Sequence, residues 1–151
     1  AMHLAMQYLD FTGCDTGEGA AEAVRKLREK RMLTPLQCDA VKPEKIAAFV
    51  NSEAGKLLRS GILHREFKFS LLAPVKELLG TGAGETLLQG VVDLWAETPA
   101  GILLLDYKTD RVTKETQLAR AESYAPQLRA YAWALEKITG KPVIFFIFSA
   151  I

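Results

Sequence analysis

Gly90-Val91-Val92-Asp93-Leu94-Trp95-Ala96-Glu97, then Thr98-Pro99-Ala100-Gly101, then Ile102-Leu103-Leu104-Leu105-Asp106-Tyr107-Lys108-Thr109 is the stretch whose reading decides the fold. Two apolar, β-branched or aromatic runs flank a turn containing Pro and Gly, which predicts a β-hairpin with a short loop. With the turn centred between Pro99 and Ala100, residues whose numbers sum to 199 face each other, and Asp93 is expected opposite Asp106. Lys108, two residues on from Asp106, shares its face. Directly opposed Cβ atoms lie roughly 4.5–5.5 Å apart, where like charges repel. A hairpin built for stability alone would gain by replacing one acid, since half-buried carboxylates are costly without partners.

A divalent cation between the two acids reverses that sign. Hard cations such as Mg²⁺ take oxygen ligands, usually one or two carboxylates with waters and substrate phosphate oxygens. Lys108 is then placed to orient or deprotonate an attacking water, or to neutralise charge growing on phosphorus. The assembly suits phosphodiester cleavage. Asp93, followed after the hairpin by Asp106-Tyr107-Lys108, resembles the PD-(D/E)XK nuclease signature. More narrowly, Gly90-Val91-Val92-Asp93, Asp106-Tyr107-Lys108-Thr109 and Gln127-Leu128-Arg129-Ala130-Tyr131 resemble the RecB-like nuclease domain found at the C-terminal end of AddA-type helicase-nuclease subunits. The likeness covers nearly the whole chain, although only these short motifs are specific.

The resemblance implies a restriction-endonuclease-like α/β fold, a mixed sheet of about four strands flanked by helices, with residues 1–60 as a helical cap and 61–151 carrying the catalytic sheet. It implies Asp93, Asp106, Lys108 and Glu66 as catalytic residues. His3, Asp93, Asp106 and the Tyr107 backbone carbonyl are implied as ligands of Mg²⁺, with Mn²⁺ as the alternative ion, and Gln127 and Tyr131 as substrate-positioning residues. His3 stands where relatives carry a histidine on their first helix, and Glu66 where they carry an acid on their first strand. The resemblance further implies an exonuclease acting on DNA, most readily single strands, in double-strand break repair by recombination, with a partner of the AddB type. Without the family, each of these residues has an ordinary reading: a lone histidine is more often packed or solvated, a strand acid is usually on the surface, and an amide and a phenol one turn apart are commonly exposed.

Composition sets the bounds. A chain of 151 residues, 49% hydrophobic, can bury one core and has little room for a second. With 19 basic and 18 acidic residues the net charge is +1, so any DNA contact is local and not the result of a global positive field. Cys14 and Cys38 lack CxxC spacing and read as reduced thiols, and two cysteines cannot build the four-cysteine iron-sulphur cluster of some RecB-like nucleases. No apolar run approaches the roughly 20 residues that span a bilayer, and a cytoplasmic bacterial protein, a piece of a longer helicase-nuclease, is expected.

Along the chain, a short helix is predicted over Met2 to Phe11, with Leu4, Tyr8 and Phe11 at helical spacing. Asp15 or Thr16 caps a second helix from Glu18 to Met32 with Ala20, Val24 and Leu27 on its core face. Helix starts follow at Thr34-Pro35 and Lys42-Pro43, the latter running to about Ser60 with Ile46, Phe49, Val50, Leu57 and Leu58 inward, making a cap of four helices. From His64 to Leu71 the pattern alternates, with Phe67, Phe69 and Leu71 on one face and His64, Glu66 and Lys68 on the other. Gly80-Thr81-Gly82-Ala83-Gly84 lacks the Gly-Lys-Ser/Thr of a phosphate loop and is followed by a strand, so it reads as a hairpin tip, and no ATP site is expected. A helix beginning at Lys114 should break near Tyr124-Ala125 because of Pro126, and Leu128, Ala132 and Leu135 form the core stripe of its continuation to Gly140. Val143 to Phe148 is a continuous apolar run that suits a strand buried on both faces.

Two rivals to catalysis have weight. A module of this fold that has lost activity would serve as a binding or scaffolding domain, and a lone Asp-x-Lys is often just a salt-bridged strand edge. The full set of Asp93, Asp106, Lys108, Gln127 and Tyr131 in order favours the enzyme.

Overall fold

The computed structural model describes the backbone of residues 1–108 and 114–150, and the side-chain surroundings of residues 1–107 and 125–144. Thr109 and the segment Asp110-Arg111-Val112, read above as leaving the site, lie outside the described residues. Five helices come first: α1 (Met2–Tyr8), α2 (Gly17–Glu29), α3 (Pro35–Asp39), α4 (Pro43–Asn51) and α5 (Glu53–Arg59). They are followed by β1 (Ile62–Pro74), α6 (Val75–Leu79), β2 (Glu85–Thr98), β3 (Gly101–Lys108), α7 (Lys114–Thr139) and β4 (Val143–Ala150).

The sheet order is β1-β2-β3-β4, antiparallel through the first three strands and parallel between β3 and β4, with α7 as the crossover. This is the mixed four-strand sheet the sequence implied. Leu94, Ala96, Leu103, Leu105 and Tyr107 bury one face under the N-terminal helices, and Trp95, Ile102 and Leu104 bury the other under Leu128, Ala132 and Leu135 of α7. Leu94, Leu103, Leu104 and Leu105 are almost wholly buried; cutting any one back to Ala should cost about 2–5 kcal/mol.

The hairpin register is the one predicted: Leu94 pairs with Leu105, Trp95 with Leu104, and Thr98 with Gly101 across the two-residue turn. The ladder stops short of Asp93 and Asp106. In the neighbouring ladder, Arg65 pairs with Leu94 and Phe67 with Val92, while Glu66 and Asp93 between them are unpaired in the register. Carrying the two registers one step further puts Glu66, Asp93 and Asp106 in one row across three strands, where the β1–β2 ladder is interrupted and the β2–β3 ladder ends. At this row β1 and β2 also exchange faces: Leu63 and Leu94 pack under the cap, whereas Phe67, Phe69 and Val92 pack toward α7. The strict alternation predicted over 64–71 therefore fails at Glu66, whose φ of +49° turns the chain. His64 lies on the Trp95 side and does not share a face with Glu66.

Several local expectations need correction. The helix from Pro43 breaks at Ser52, which is extended (ψ 160°) and whose Oγ accepts from the Gly55 N–H at 3.1 Å, so the cap has five helices, not four. Leu57 is consequently exposed while Leu58 is buried. The first helix ends at Tyr8, which is exposed; Met2, Ala5 and Met6 make its core face, and Phe11 packs separately against Phe49. Thr16 is the cap of α2, and Thr34 with Gln37 forms a capping box on α3. No break occurs at Tyr124-Ala125: α7 is continuous through Pro126. A turn of helix, α6, occupies the connection between β1 and β2, where Trp133 Nε1 donates to Glu77 Oε2 at 2.7 Å and ties it to α7. β4 is the sheet's fourth strand, and Ile144 near its start is exposed, so this end is not buried on both faces.

Candidate functional site

The interrupted row gathers the chemistry. A non-glycine residue at positive φ costs on the order of 1–3 kcal/mol and persists only where its surroundings over-determine it. Glu66 is held there by the ladder on both sides, Arg65 to Leu94 and Phe67 to Val92. The turn brings its carboxylate to the cap side, where His3 Nε2 lies 3.9 Å from Glu66 Oε1 and 3.1 Å from Asp93 Oδ1. Donor atoms of His3, Glu66 and Asp93 all lie within 4.8 Å of one another, and among the described residues these three form the group able to hold a metal ion.

Asp93 is fixed by its other oxygen: the Tyr107 N–H donates to Oδ2 at 3.0 Å. That bond occupies the place of the ladder bonds lost where β2 and β3 part, and it leaves Oδ1 for His3. Asp106, buried on β3, lines the same pocket as Asp93, together with His3, Val91, Tyr107, Gln127 and Tyr131. The pocket has a volume of about 330 Å³. The two aspartates predicted to face each other thus open onto one space. Lys108 closes β3 in register with Ala150 of β4, and its side chain lies outside the described residues.

From the other side, α7 supplies Gln127 and Tyr131. Gln127 Nε2 donates to the Tyr131 hydroxyl at 3.0 Å, so the residues predicted one turn apart act as a pair. The Tyr131 ring meets Phe69 edge to face at 5.4 Å. Gly90 makes that possible, because a Cβ there would lie 2.6 Å from Tyr131 Cε1 and 2.9 Å from Phe69 Cζ. This role of Gly90 and Phe69 is invisible in sequence, where they belong to two strands and Tyr131 to a distant helix.

Helix α1 must be held down if His3 is to reach the acids. Arg65, beside Glu66, donates from Nη1 to the Gln7 carbonyl at 3.4 Å and lies 4.6 Å over the Phe11 ring. Burial makes its guanidinium easier to deprotonate than usual. Tyr107 stands edge to face with both His3 and Phe49, at 5.9 and 6.1 Å, and burial raises its phenol above the ordinary tyrosine range. It remains protonated and serves as a wall. Neither Arg65 nor the Tyr107 ring was foreseen, since their importance lies in what they touch.

Two carboxylates and an imidazole at this spacing fit a divalent cation. Without one, acids in a shared row repel; with one, the same arrangement becomes favourable. Carboxylates suit Mg²⁺ and Mn²⁺, and an imidazole donor shifts the balance toward the transition metal.

A fold of this topology, with acids meeting on the second and third strands and an Asp-x-Lys at a strand end, defines a nuclease class. Residues 1–147 match the sequence model of the PD-(D/E)XK nuclease superfamily, and the chain belongs to that superfamily. It is 41% identical to the AddA subunit of an ATP-dependent helicase/nuclease from Acetivibrio thermocellus over 94% of this chain and 12% of that protein. Corresponding subunits from Bacillus velezensis and Levilactobacillus brevis are 38% and 35% identical, over 97% and 95% of this chain and 13% and 12% of theirs. The chain therefore spans about an eighth of the length of these relatives. No described helix is long and apolar enough to cross a membrane.

Proposed function

We propose that this chain is the Mg²⁺-dependent DNA exonuclease domain of a bacterial AddA-type helicase-nuclease, with Mn²⁺ as an alternative ion. The observation that carries the reading is the convergence of His3, Glu66 and Asp93 within 4.8 Å where the β1–β2 ladder is interrupted and the β2–β3 ladder ends, in the neighbourhood of buried Asp106. In this reading His3, Asp93 and Asp106 hold the ion, with the Tyr107 backbone carbonyl as a further ligand and Glu66 completing the acidic set. A divalent cation there supplies Lewis acidity, drawing charge from the phosphate oxygens and making a water easier to deprotonate.

The chain's own residues do the rest. Tyr107 N–H holds one Asp93 oxygen in a fixed direction, which leaves the other oxygen, 3.1 Å from His3 Nε2, to share the ion with the imidazole. Lys108 assists the attack on phosphorus, by orienting water or neutralising developing charge. Gln127 and Tyr131, bonded to each other and standing on the pocket wall, position the strand. The substrate is DNA, most readily single strands delivered by the motor portion of a longer polypeptide, during recombinational repair of double-strand breaks with a partner of the AddB type.

The test incubates the protein with single-stranded DNA and Mg²⁺ or Mn²⁺ beside an Asp106→Ala variant. Cleavage by the parent and none by the variant is expected. DNA binding with no hydrolysis by either would replace catalysis with a scaffolding role.

A further inference from the structure

Beyond the interrupted row, the β1–β2 ribbon runs out from under the helical cap. Leu63, Leu94 and Ala96 are covered on the cap side before the row. After it, Phe67, Phe69 and Leu71 turn to α7, and the cap side carries Lys68, Ser70, Gln89 and Val91, all but Val91 polar and all exposed. These four are matched across the strands, Lys68 with Val91 and Ser70 with Gln89. A shallow, open depression lies over them, lined by Lys68, Phe69, Ser70, Gln89, Gly90 and Val91. Val91 is also a wall of the acidic pocket, so the two depressions adjoin.

The groove is the chemical opposite of its neighbour. Among the described residues its one ionised lining group is Lys68, and no carboxylate lines it. Gln89 Nε2 donates to Ser70 Oγ at 3.2 Å, a bond that uses neither the serine hydroxyl proton nor the second amide proton. Lys68 and Ser70, two apart on a strand, stand roughly 6.6–6.8 Å from each other along it. An ammonium, a hydroxyl and an amide in file offer donors to an anionic polymer and no acceptor charge to repel it.

We propose that this groove is a subsite for the sugar-phosphate backbone of a DNA strand next to the scissile position, with Lys68 pairing with a phosphate and Ser70 and Gln89 donating to phosphate or sugar oxygens. The proposal rests on the nuclease reading of the adjoining pocket. Lys68 supplies the charge that meets phosphate, and contacts to phosphate and sugar carry no sequence information. The subsite lets acids that would repel a phosphate sit beside the strand, the groove supplying attraction while the pocket supplies chemistry.

Each phosphate neutralised on a single strand contributes about 0.7 to the slope of log affinity against log salt. The experiment measures anisotropy of a labelled oligothymidylate with the protein in an Asp106→Asn background, across a series of NaCl concentrations, for Lys68, Lys68→Ala, Lys68→Arg and Gln89→Glu. Lys68→Ala is expected to flatten the slope by about 0.7 and Lys68→Arg to restore it. Gln89→Glu, a second exposed change, should weaken binding several-fold. Parental slope and affinity in Lys68→Ala and Gln89→Glu would overturn the subsite even if the parent cuts DNA, and would hand this face to a protein contact. A slope change without any cleavage by the unmodified protein would keep a DNA-backbone contact on this face but remove the nuclease reading and with it the scissile position; no DNA binding by any form would overturn the contact itself.

Discussion

Two histidine-carboxylate pairs of nearly equal length end on β2, one reaching it from α1 and the other from β1. His3 Nε2 lies 3.1 Å from Asp93, and His64 Nε2 lies 3.0 Å from Glu97. At the second, the ladder is regular, His64 stacks on Trp95 at 3.9 Å, and Lys141 Nζ reaches the other Glu97 oxygen at 2.7 Å. One acid meets one ammonium, and the charge closes locally. At the first, the ladder is broken, Glu66 is forced to positive φ, and a second acid joins where the other pair has a lysine. The distance is the same, and the charge count is not. Excess acid, and a backbone bent to bring it there, are what the proposed ion site has and the regular pair lacks.

The largest effect that can break this comparison is on DNA cleavage. Asp93→Ala should reduce it by at least ~10²-fold, since loss of a mere supporting partner of a metal ligand costs 10–100-fold. Glu97→Ala should leave the cleavage rate within about twofold; equal loss in both variants, measured on labelled single strands, would erase the distinction. A second contrast concerns ion binding. At an Mn²⁺ concentration 100 times its dissociation constant, linkage adds about 2.7 kcal/mol to the folded state. Calorimetric melting should therefore rise with Mn²⁺ in the parent and in Glu97→Gln, but not in His3→Ala. A rise in all three would place the ion elsewhere.

Packing next to the site gives a smaller effect. Gly90→Ala sets a methyl against Tyr131 and Phe69, and overpacking of this kind costs about 1–3 kcal/mol. The denaturant midpoint should fall, and the KM for DNA should rise because Tyr131 and Gln127 shift together. Unchanged midpoint and KM would show that the rings yield without consequence.

Legibility in the sequence followed how local each cause is. The hairpin register could be counted from Pro99-Ala100, because a two-residue turn fixes pairing over the next several residues. That Gln127 and Tyr131 share a face was readable for the same reason, one turn of helix, but their place beside the site came only through family likeness. Glu66 was readable only through family likeness, and its conformation not at all: alternation assumes β geometry at every residue, so it cannot announce the residue that violates it. Pro126 misled because a proline inside a helix costs about 3 kcal/mol locally, whereas α7 buries Leu128, Ala132 and Leu135 against the sheet over the following turns. The His64, Glu97 and Lys141 cluster joins three separated segments and left no spacing to find.

The smallest effect belongs to that regular cluster, and its sign follows from one carboxylate. The Lys141 hydrogen bond, with His64 adding to it, holds Glu97 below its ordinary value of 4.5. A carboxyl group that is more acidic folded than unfolded stabilises the fold while both states are ionised. Its contribution is present above about pH 4.5 and disappears as pH falls through the lower folded value. Glu97→Gln should thus melt below the parent at pH 7, with the gap closing as the pH is taken below 4. Both side chains reach into solvent, so the gap at pH 7 should also shrink with added salt. A gap that widened on acidification would mean that Glu97 is held in its neutral form, and that its lysine is a neighbour without being a partner.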